Sequence, residues 1–252
     1  KRHIKTYFNL TLLNLFGLLI LLLITLIIFS PILFIIVKGI NKELLYILTS
    51  TYLWEAIYNT LIICFFSGIA SIFIVYNLLV LTQKKTKISE SLIYSLIIFS
   101  PAVMAVGYYI LLFKLNLMYL PNIIIVIILN SFFVLPFTYN YLAPSFFRVI
   151  KENDDIANSL NLYGLSRFLT IDLPRLKKSL ITAFCVSSIL SASDLVVISF
   201  FGTNNLSTLT QTIYRLMGSY RMNEAYSVSL ILLMFCFIYF FLAHKILEKN
   251  KW

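Results

Sequence analysis

Six apolar stretches constrain this chain more than any other feature. They run at about 11–36, 57–82, 91–113, 122–143, 179–200 and 225–246. Each holds about 20 residues or more, the length an α-helix needs to cross roughly 30 Å of hydrocarbon. Of the 252 residues, 60% are hydrophobic and only 12% are charged, whereas a soluble domain carries about 25% charged residues. Water could not be kept from so much apolar surface with so few charges. The runs do not alternate with period two, so they do not read as β-barrel strands. They are also bulky, with 22 Phe and 16 Tyr against 7 Gly. The expected fold is all-α: a polytopic membrane protein with six transmembrane helices in a single domain over residues 1–252.

The formal net charge is +10. In a membrane protein such an excess reads as topology, because Lys and Arg collect on the cytoplasmic side, and no nucleic-acid partner is expected. Counting alternate connecting segments from the N-terminus gives three basic residues up to Lys5, three from Lys84 to Lys87, six from Arg148 to Lys178 and three from Lys245 to Lys251. The other segments share five: Lys38, Lys42, Lys114, Arg215 and Arg221. Both termini are therefore expected in the cytoplasm, and so is the polar connection at 144–178. The first residue is Lys1 rather than Met, and the chain is expected to be part of a longer or processed protein. Residues 8–37 are too long for a signal peptide and lack a small-residue cleavage site.

Prolines punctuate the apolar runs. Pro31 lies near the outer end of the first, while Pro101 and Pro136 are expected to kink the third and fourth from inside. Cys64, Cys185 and Cys236 all fall in apolar runs without metal or disulfide spacing, and read as small buried side chains. The outer connection at 201–224 contains Leu206, Leu209, Ile213, Leu216 and Met217 on one helical face. An amphipathic helix is expected there, N-capped by Ser207 and stopped by Gly218. Glu55 and Glu224, at the outer interfaces, are expected to be solvated.

Asp194 is the one acid inside an apolar run, and a carboxylate there is costly. It has Ser187, Ser188, Ser191 and Ser193 on the same stretch, a small polar face that either packs closely or lines an aqueous path. Two readings stay open. Asp194, with Ser191 and Arg215, borders a pathway or outer gate, or it is a structural ion pair with Arg215 or Arg221. Catalytic patterns are lacking: His3 and His244 have no partner spacing, and there is no phosphate-binding glycine loop, HExxH or serine elbow. No cofactor is expected on this chain.

The stretch Phe146 to Pro174 stands out as polar and patterned. Phe146, Val149, Ile150, Ile156, Ala157 and Leu160 follow a helical period with a gap at Asn153. Asn161 to Gly164 supply turn chemistry, because Asn and Gly tolerate the left-handed region best. A second short helix follows, with Leu165, Phe168, Leu169 and Ile171 on its apolar face, and Pro174 is expected to end it. Two short helices around a turn, with outward apolar residues, form a protein-docking shape.

Here the residues carry a resemblance. Asp155-Ile156-Ala157, three residues, Asn161, nine residues, then Ile171-Asp172-Leu173-Pro174 resembles the Glu-Ala-Ala motif of binding-protein-dependent ABC importer permeases. That motif reads Glu-Ala-Ala, three residues, Gly, nine residues, Ile-x-Leu-Pro. Asp replaces its Glu, Ile156 its first Ala and Asn161 its Gly. The stretch from Leu190 to Gly202, Thr208-Leu209, and Tyr214 to Met222 looks like the C-terminal half of thiamine and thiamine pyrophosphate ABC permeases. Those permeases usually fuse two six-helix halves in one chain. Iron(III) permeases are the nearest alternative, and a secondary transporter or channel without an ATPase is more remote.

The resemblance implies a type I importer permease (MetI-like) fold in a bacterial inner membrane. It implies a cytoplasmic ABC ATPase dimer that carries the ATP, a periplasmic substrate-binding protein and a second six-helix half. It further implies that 144–178 is a coupling loop, with Asp155, Ala157, Asn161, Tyr163, Gly164, Leu165, Phe168, Leu173 and Pro174 in contact with, or supporting contact to, the ATPase. Tyr163, Leu165 and Phe168 would be its apolar anchors, and Asp155 would pair at the turn.

Overall fold

Long apolar runs close their own backbone hydrogen bonds as helices, and the described part of this chain is built of helices. The computed structural model describes residues 12–82, 86–117, 121–162, 164–203 and 206–249. Tyr163 falls outside them, and of Leu165 only the backbone is described. Among the described residues there are α1 (Leu12–Gly39), α2 (Lys42–Leu48), α3 (Thr51–Leu81), α4 (Thr86–Ile98), α5 (Pro101–Lys114) and α6 (Asn122–Ser159). A short α7 (Gly164–Arg167) runs through a π-helical turn (Phe168–Asp172) into α8 (Leu173–Ala192). Then come α9 (Val196–Phe201), α10 (Leu209–Gly218) and α11 (Met222–Lys249).

Four of these helices, α1, α3, α6 and α11, are long and apolar enough to cross a membrane. The 91–113 stretch is not one straight helix. It breaks between α4 and α5, which meet at 91°. Pro101 accordingly starts α5 instead of kinking a helix from inside, because the missing N–H costs nothing in a first turn. The 179–200 stretch is broken as well, at Ser193–Leu195 between α8 and α9. Pro136 does lie within a helix, and so does Pro144, since α6 runs on for 38 residues. The segment expected as a separate helix at 146–160 is the end of α6. Nothing in its sequence forces a stop after 143, and its apolar face continues that of the membrane helix in phase.

The core is a three-helix contact of α3, α6 and α8. Ile63 of α3 clusters with Ile125, Val126 and Leu129 of α6. Val75 and Leu79 cluster with Leu135, Leu142 and Phe146, so α3 and α6 run parallel. Leu176, at the start of α8, joins the second cluster, while Ser191, near its end, meets Ser67 and Asn130, so α8 runs the other way. Between the apolar layers lies a band of small polar side chains. Ser67 donates to Ser191 at 2.6 Å, Asn130 Nδ2 donates to Ser191 Oγ at 3.1 Å, and Thr138 donates to Ser71 at 3.2 Å. Small residues let helix backbones approach in hydrocarbon, where no hydrophobic force pulls helices together. The serine face of α8 is thus a packing face. Cys64 and Cys185 are buried free thiols, and Cys236 is half-buried.

α1 stands apart from this core. It touches α11, and its apolar side chains are otherwise exposed. Contact is closest at Gly39, where an added Cβ would lie 2.7 Å from Leu230 Cβ and 3.0 Å from the Tyr226 carbonyl. A backbone carbonyl cannot step aside cheaply, so Gly39→Ala should overpack this joint and cost about 1–3 kcal/mol. Gly17, with open space around it, is the control, and Gly17→Ala should be neutral or stabilising. Thermal unfolding midpoints of the detergent-solubilised variants check both.

Candidate functional site

The end of α6, the turn after it and the start of α8 form a hairpin. Its inner side is apolar as the periodicity predicts: Phe146, Val149 and Ala157 are buried. The gap in that period is a buried Asn153, whose side-chain amide donates to the Val149 carbonyl at 2.8 Å. α6 stops where Asn161 takes a left-handed φ of 51°, and the Leu162 N–H closes the end by donating to the Ala157 carbonyl at 2.9 Å. Gly164 is also left-handed, at φ 58°. Two left-handed residues three apart reverse the chain, and both were legible as turn formers.

The second arm differs from the expected helix. Pro174 does not end it but sits in the first turn of α8. The chain tightens the transition with a π-helical turn, in which the Leu173 N–H donates to the Phe168 carbonyl five residues back. Such a register change accommodates the missing proline N–H without breaking the rod. It also rotates Phe168 inward, so this ring packs on α3, 4.8 Å from that of Tyr76. Tyr76 in turn stands edge-on to Phe146 at 5.7 Å. Leu160 and Leu169 point outward, 62% and 58% exposed, and Leu173 is 37% exposed.

Four charged or polar residues hold the hairpin, and none stood out in the sequence. Arg167 donates to Asp154 Oδ1 at 2.8 Å, and its Nε lies 3.7 Å from Asp172 Oδ1. Asp172, 3% exposed, accepts from the Tyr76 hydroxyl at 2.6 Å. The pair at the turn is therefore made by Asp154. Its neighbour Asp155 is exposed and takes part in no ion pair among the described residues. A helical period would have separated the two acids only if the direction of the returning arm had been known.

At the far end of the bundle, Asp194 interrupts α8–α9 and caps the second piece. Its Oδ1 accepts from the Val196 N–H at 3.2 Å and its Oδ2 from the Val197 N–H at 3.1 Å. Of the two readings, the ion pair with Arg215 or Arg221 does not form among the described residues. Arg215 donates to the Thr203 carbonyl at 3.4 Å, and Arg221 binds Glu224 at 2.6 Å. Glu224 is thus paired, which also raises the Arg221 pKa above its ordinary range, first through that hydrogen bond. Glu55 is exposed as expected.

The amphipathic α10 forms as read, with Leu209 and Leu216 buried. Its cap is Thr208, not Ser207: Thr208 Oγ1 accepts from the Gln211 N–H at 3.4 Å, while the Ser207 carbonyl is taken by Asn59 of α3 at 3.1 Å. Thr60 of α3 accepts the Leu209 N–H at 3.0 Å, and the Asp194 carbonyl accepts Thr210 at 3.0 Å. α10 therefore dips against α3 instead of floating on the surface. Ser191 sits in the packed band described above, remote from Arg215 in its contacts.

Left-handed Asn161 is the residue on which the hairpin's shape turns. Asn161→Gly should keep the fold, whereas Asn161→Val should cost about 1–2 kcal/mol, the penalty for a β-branched side chain in that region. At the other end, Asp194→Ala removes a cap worth about 1 kcal/mol, while Asp194→Asn keeps one of the two acceptor oxygens and should cost less than Asp194→Ala. Unfolding midpoints of the four purified proteins check this ordering.

No protein-family model matches the chain. Curated relatives do. The thiamine transport system permease protein ThiP of Escherichia coli (strain K12) is 29% identical over 235 residues, covering 89% of this chain and 44% of that protein. ThiP of Haemophilus influenzae is 29% identical over 240 residues, covering 92% and 45%. ThiP of Brucella abortus (strain 2308) is 25% identical over 226 residues, covering 88% and 42%. This chain spans less than half the length of the curated relatives it matches. Nearly all of it is similar to the C-terminal half of thiamine transport permeases, the resemblance that the hairpin motif and the 190–222 segment had indicated.

Proposed function

We propose that this chain is one six-helix half of the permease of an ATP-driven importer for thiamine or thiamine pyrophosphate. The observation that carries the reading is similarity to thiamine transport permeases along about nine-tenths of the chain. Six crossings follow if α4–α5 and α8–α9 each make one broken span beside α1, α3, α6 and α11. The bent pair supports this, because Ile93 of α4 joins the cluster nearest the hairpin and Leu112 of α5 joins the far one. The excess of Lys and Arg then sets the hairpin and both ends of the chain in the cytoplasm, in a bacterial inner membrane. A second half, an ATPase dimer and a periplasmic binding protein complete the transporter. This chain is not itself an enzyme: it hydrolyses no ATP, which stays on the partner, and it needs no cofactor.

The hairpin is the coupling loop in this reading. Leu160 and Leu169, apolar and exposed, are the side chains that an ATPase groove would cover, with Gly164 holding the turn that presents them. Buried Ala157 and inward Phe168 support the loop from behind. At the opposite end, α10 and the Asp194 break form the outer gate that receives substrate. Because Asp194→Asn should spare part of the cap, a fall in uptake at equal protein level would assign this carboxylate to the path of a cationic substrate.

Two measurements test the proposal. Co-purification of the ATPase should fall about tenfold or more in Leu160→Asp and Leu169→Asp, as expected for anchors at the centre of an interface. Retention of the ATPase in both would remove the docking assignment. Uptake of labelled thiamine by proteoliposomes holding the assembled transporter should exceed uptake of iron(III). The reverse preference would overturn the substrate.

A further inference from the structure

The hairpin is tied to α3 by one polar link. Among the described residues, Tyr76 to Asp172 is the sole side-chain hydrogen bond joining 160–172 to that helix. The link is a short, part-buried hydrogen bond to a carboxylate, and the network around it is incompletely satisfied. Arg167 Nε, Arg167 Nη2 and Asp172 Oδ1 are buried without a hydrogen-bond partner. Arg167 bonds to Asp154 at 2.8 Å, while Asp172 waits 3.7 Å away. The guanidinium stands between the two carboxylates, hydrogen-bonded to Asp154 through Nη1 and only at ion-pair distance from Asp172 through Nε, although a planar fork can engage either one fully. A half-satisfied buried network is costly, so a small shift of the turn that closes Arg167 onto Asp172 offsets the bond it loses to Asp154.

α3 is a suitable receiver. It is one unbroken 31-residue helix. Tyr76 is sixteen residues from Thr60, a rise of about 24 Å at 1.5 Å per residue. Thr60 and its neighbour Asn59 hold the start of α10 through Leu209 and Ser207. One rod therefore has the hairpin fastened at one end and the outer helix at the other.

We propose that Arg167, Asp172 and Tyr76 form the joint that carries displacement of the hairpin into α3, with Arg167 exchanging between Asp154 and Asp172 as the turn moves. These are positioning residues, and the inference rests on the transport reading above. The test uses the full transporter, reconstituted with its ATPase and binding protein, and reads thiamine taken up per ATP hydrolysed. Tyr76→Phe removes only the hydroxyl and keeps both ring contacts. Tyr94→Phe is its control, because it removes a comparable hydroxyl bond between α4 and α6.

Tyr76→Phe and Asp172→Asn should keep the protein level and the ATPase, yet lower uptake per ATP about fivefold or more, the lower end of coupling between sites. The double variant should be no worse than the weaker single one, because both substitutions act on the same link, Tyr76→Phe by removing its donor and Asp172→Asn by removing the carboxylate charge that strengthens it and faces Arg167. Arg167→Lys, which keeps the charge without the fork, should recover part of the coupling that Arg167→Ala loses. Unchanged uptake per ATP in Tyr76→Phe, an equal fall in Tyr94→Phe, multiplying effects in the double variant or loss of the ATPase would each overturn the joint. Wild-type transporter that takes up no thiamine would instead sink the transport reading, and this inference with it.

Discussion

A helix in hydrocarbon must close its own backbone hydrogen bonds, and the structure is arranged around the places where this chain fails to do so. Unsatisfied groups there cost several kcal/mol each by rough estimate. Three of the interruptions are mended locally. The break between α8 and α9 is closed by the Asp194 carboxylate, which takes two N–H groups of the next helix. The proline at the start of α8 is absorbed by a π-helical turn. The start of α10 is held by Thr208 and by Thr60 of another helix. These repairs are also where the chain changes direction or meets a second element, so the irregular backbone and the candidate functional regions coincide.

The repairs reassign residues that composition alone would read differently. An acid in an apolar run suggests a counter-ion or a path-lining group, and here its first task is to end one helix and start another. A serine stripe suggests water, and here it lets α8 approach α3 and α6, with Gly68 leaving room for Ser188 and Phe184. Both explain why small and charged residues sit within these apolar helices.

The two ends of the bundle share a design. At the hairpin, a left-handed asparagine and glycine make the turn and an Arg–Asp–Tyr chain centred on buried Asp172 ties it to α3. At the other end, Asn59 and Thr60 tie α10 to the same helix. α3 carries few charges and looks like a plain membrane span in the sequence. It is nonetheless the element on which both candidate regions are fastened.

The sequence by itself determined what depends on length and local period. The helical class, the four long apolar helices, the polar hairpin, its left-handed turn at Asn161 and the apolar face of α10 all follow from spacing within a few residues. It also carried, in the 190–222 segment, the likeness to thiamine permeases. Only the tertiary structure decided that Asp154 and not Asp155 takes Arg167, that Phe168 turns inward, that Asp194 caps a helix and that Thr208 replaces Ser207. Two of those outcomes depend on partners far away in the chain: Phe168 turns toward Tyr76, which meets Asp172 across 96 positions, and Asn59 takes the Ser207 carbonyl across 148. Periodicity says which face of a helix is apolar, but the direction of the returning segment, set by the packing of α8 against α3 and α6, decides which charge finds a partner.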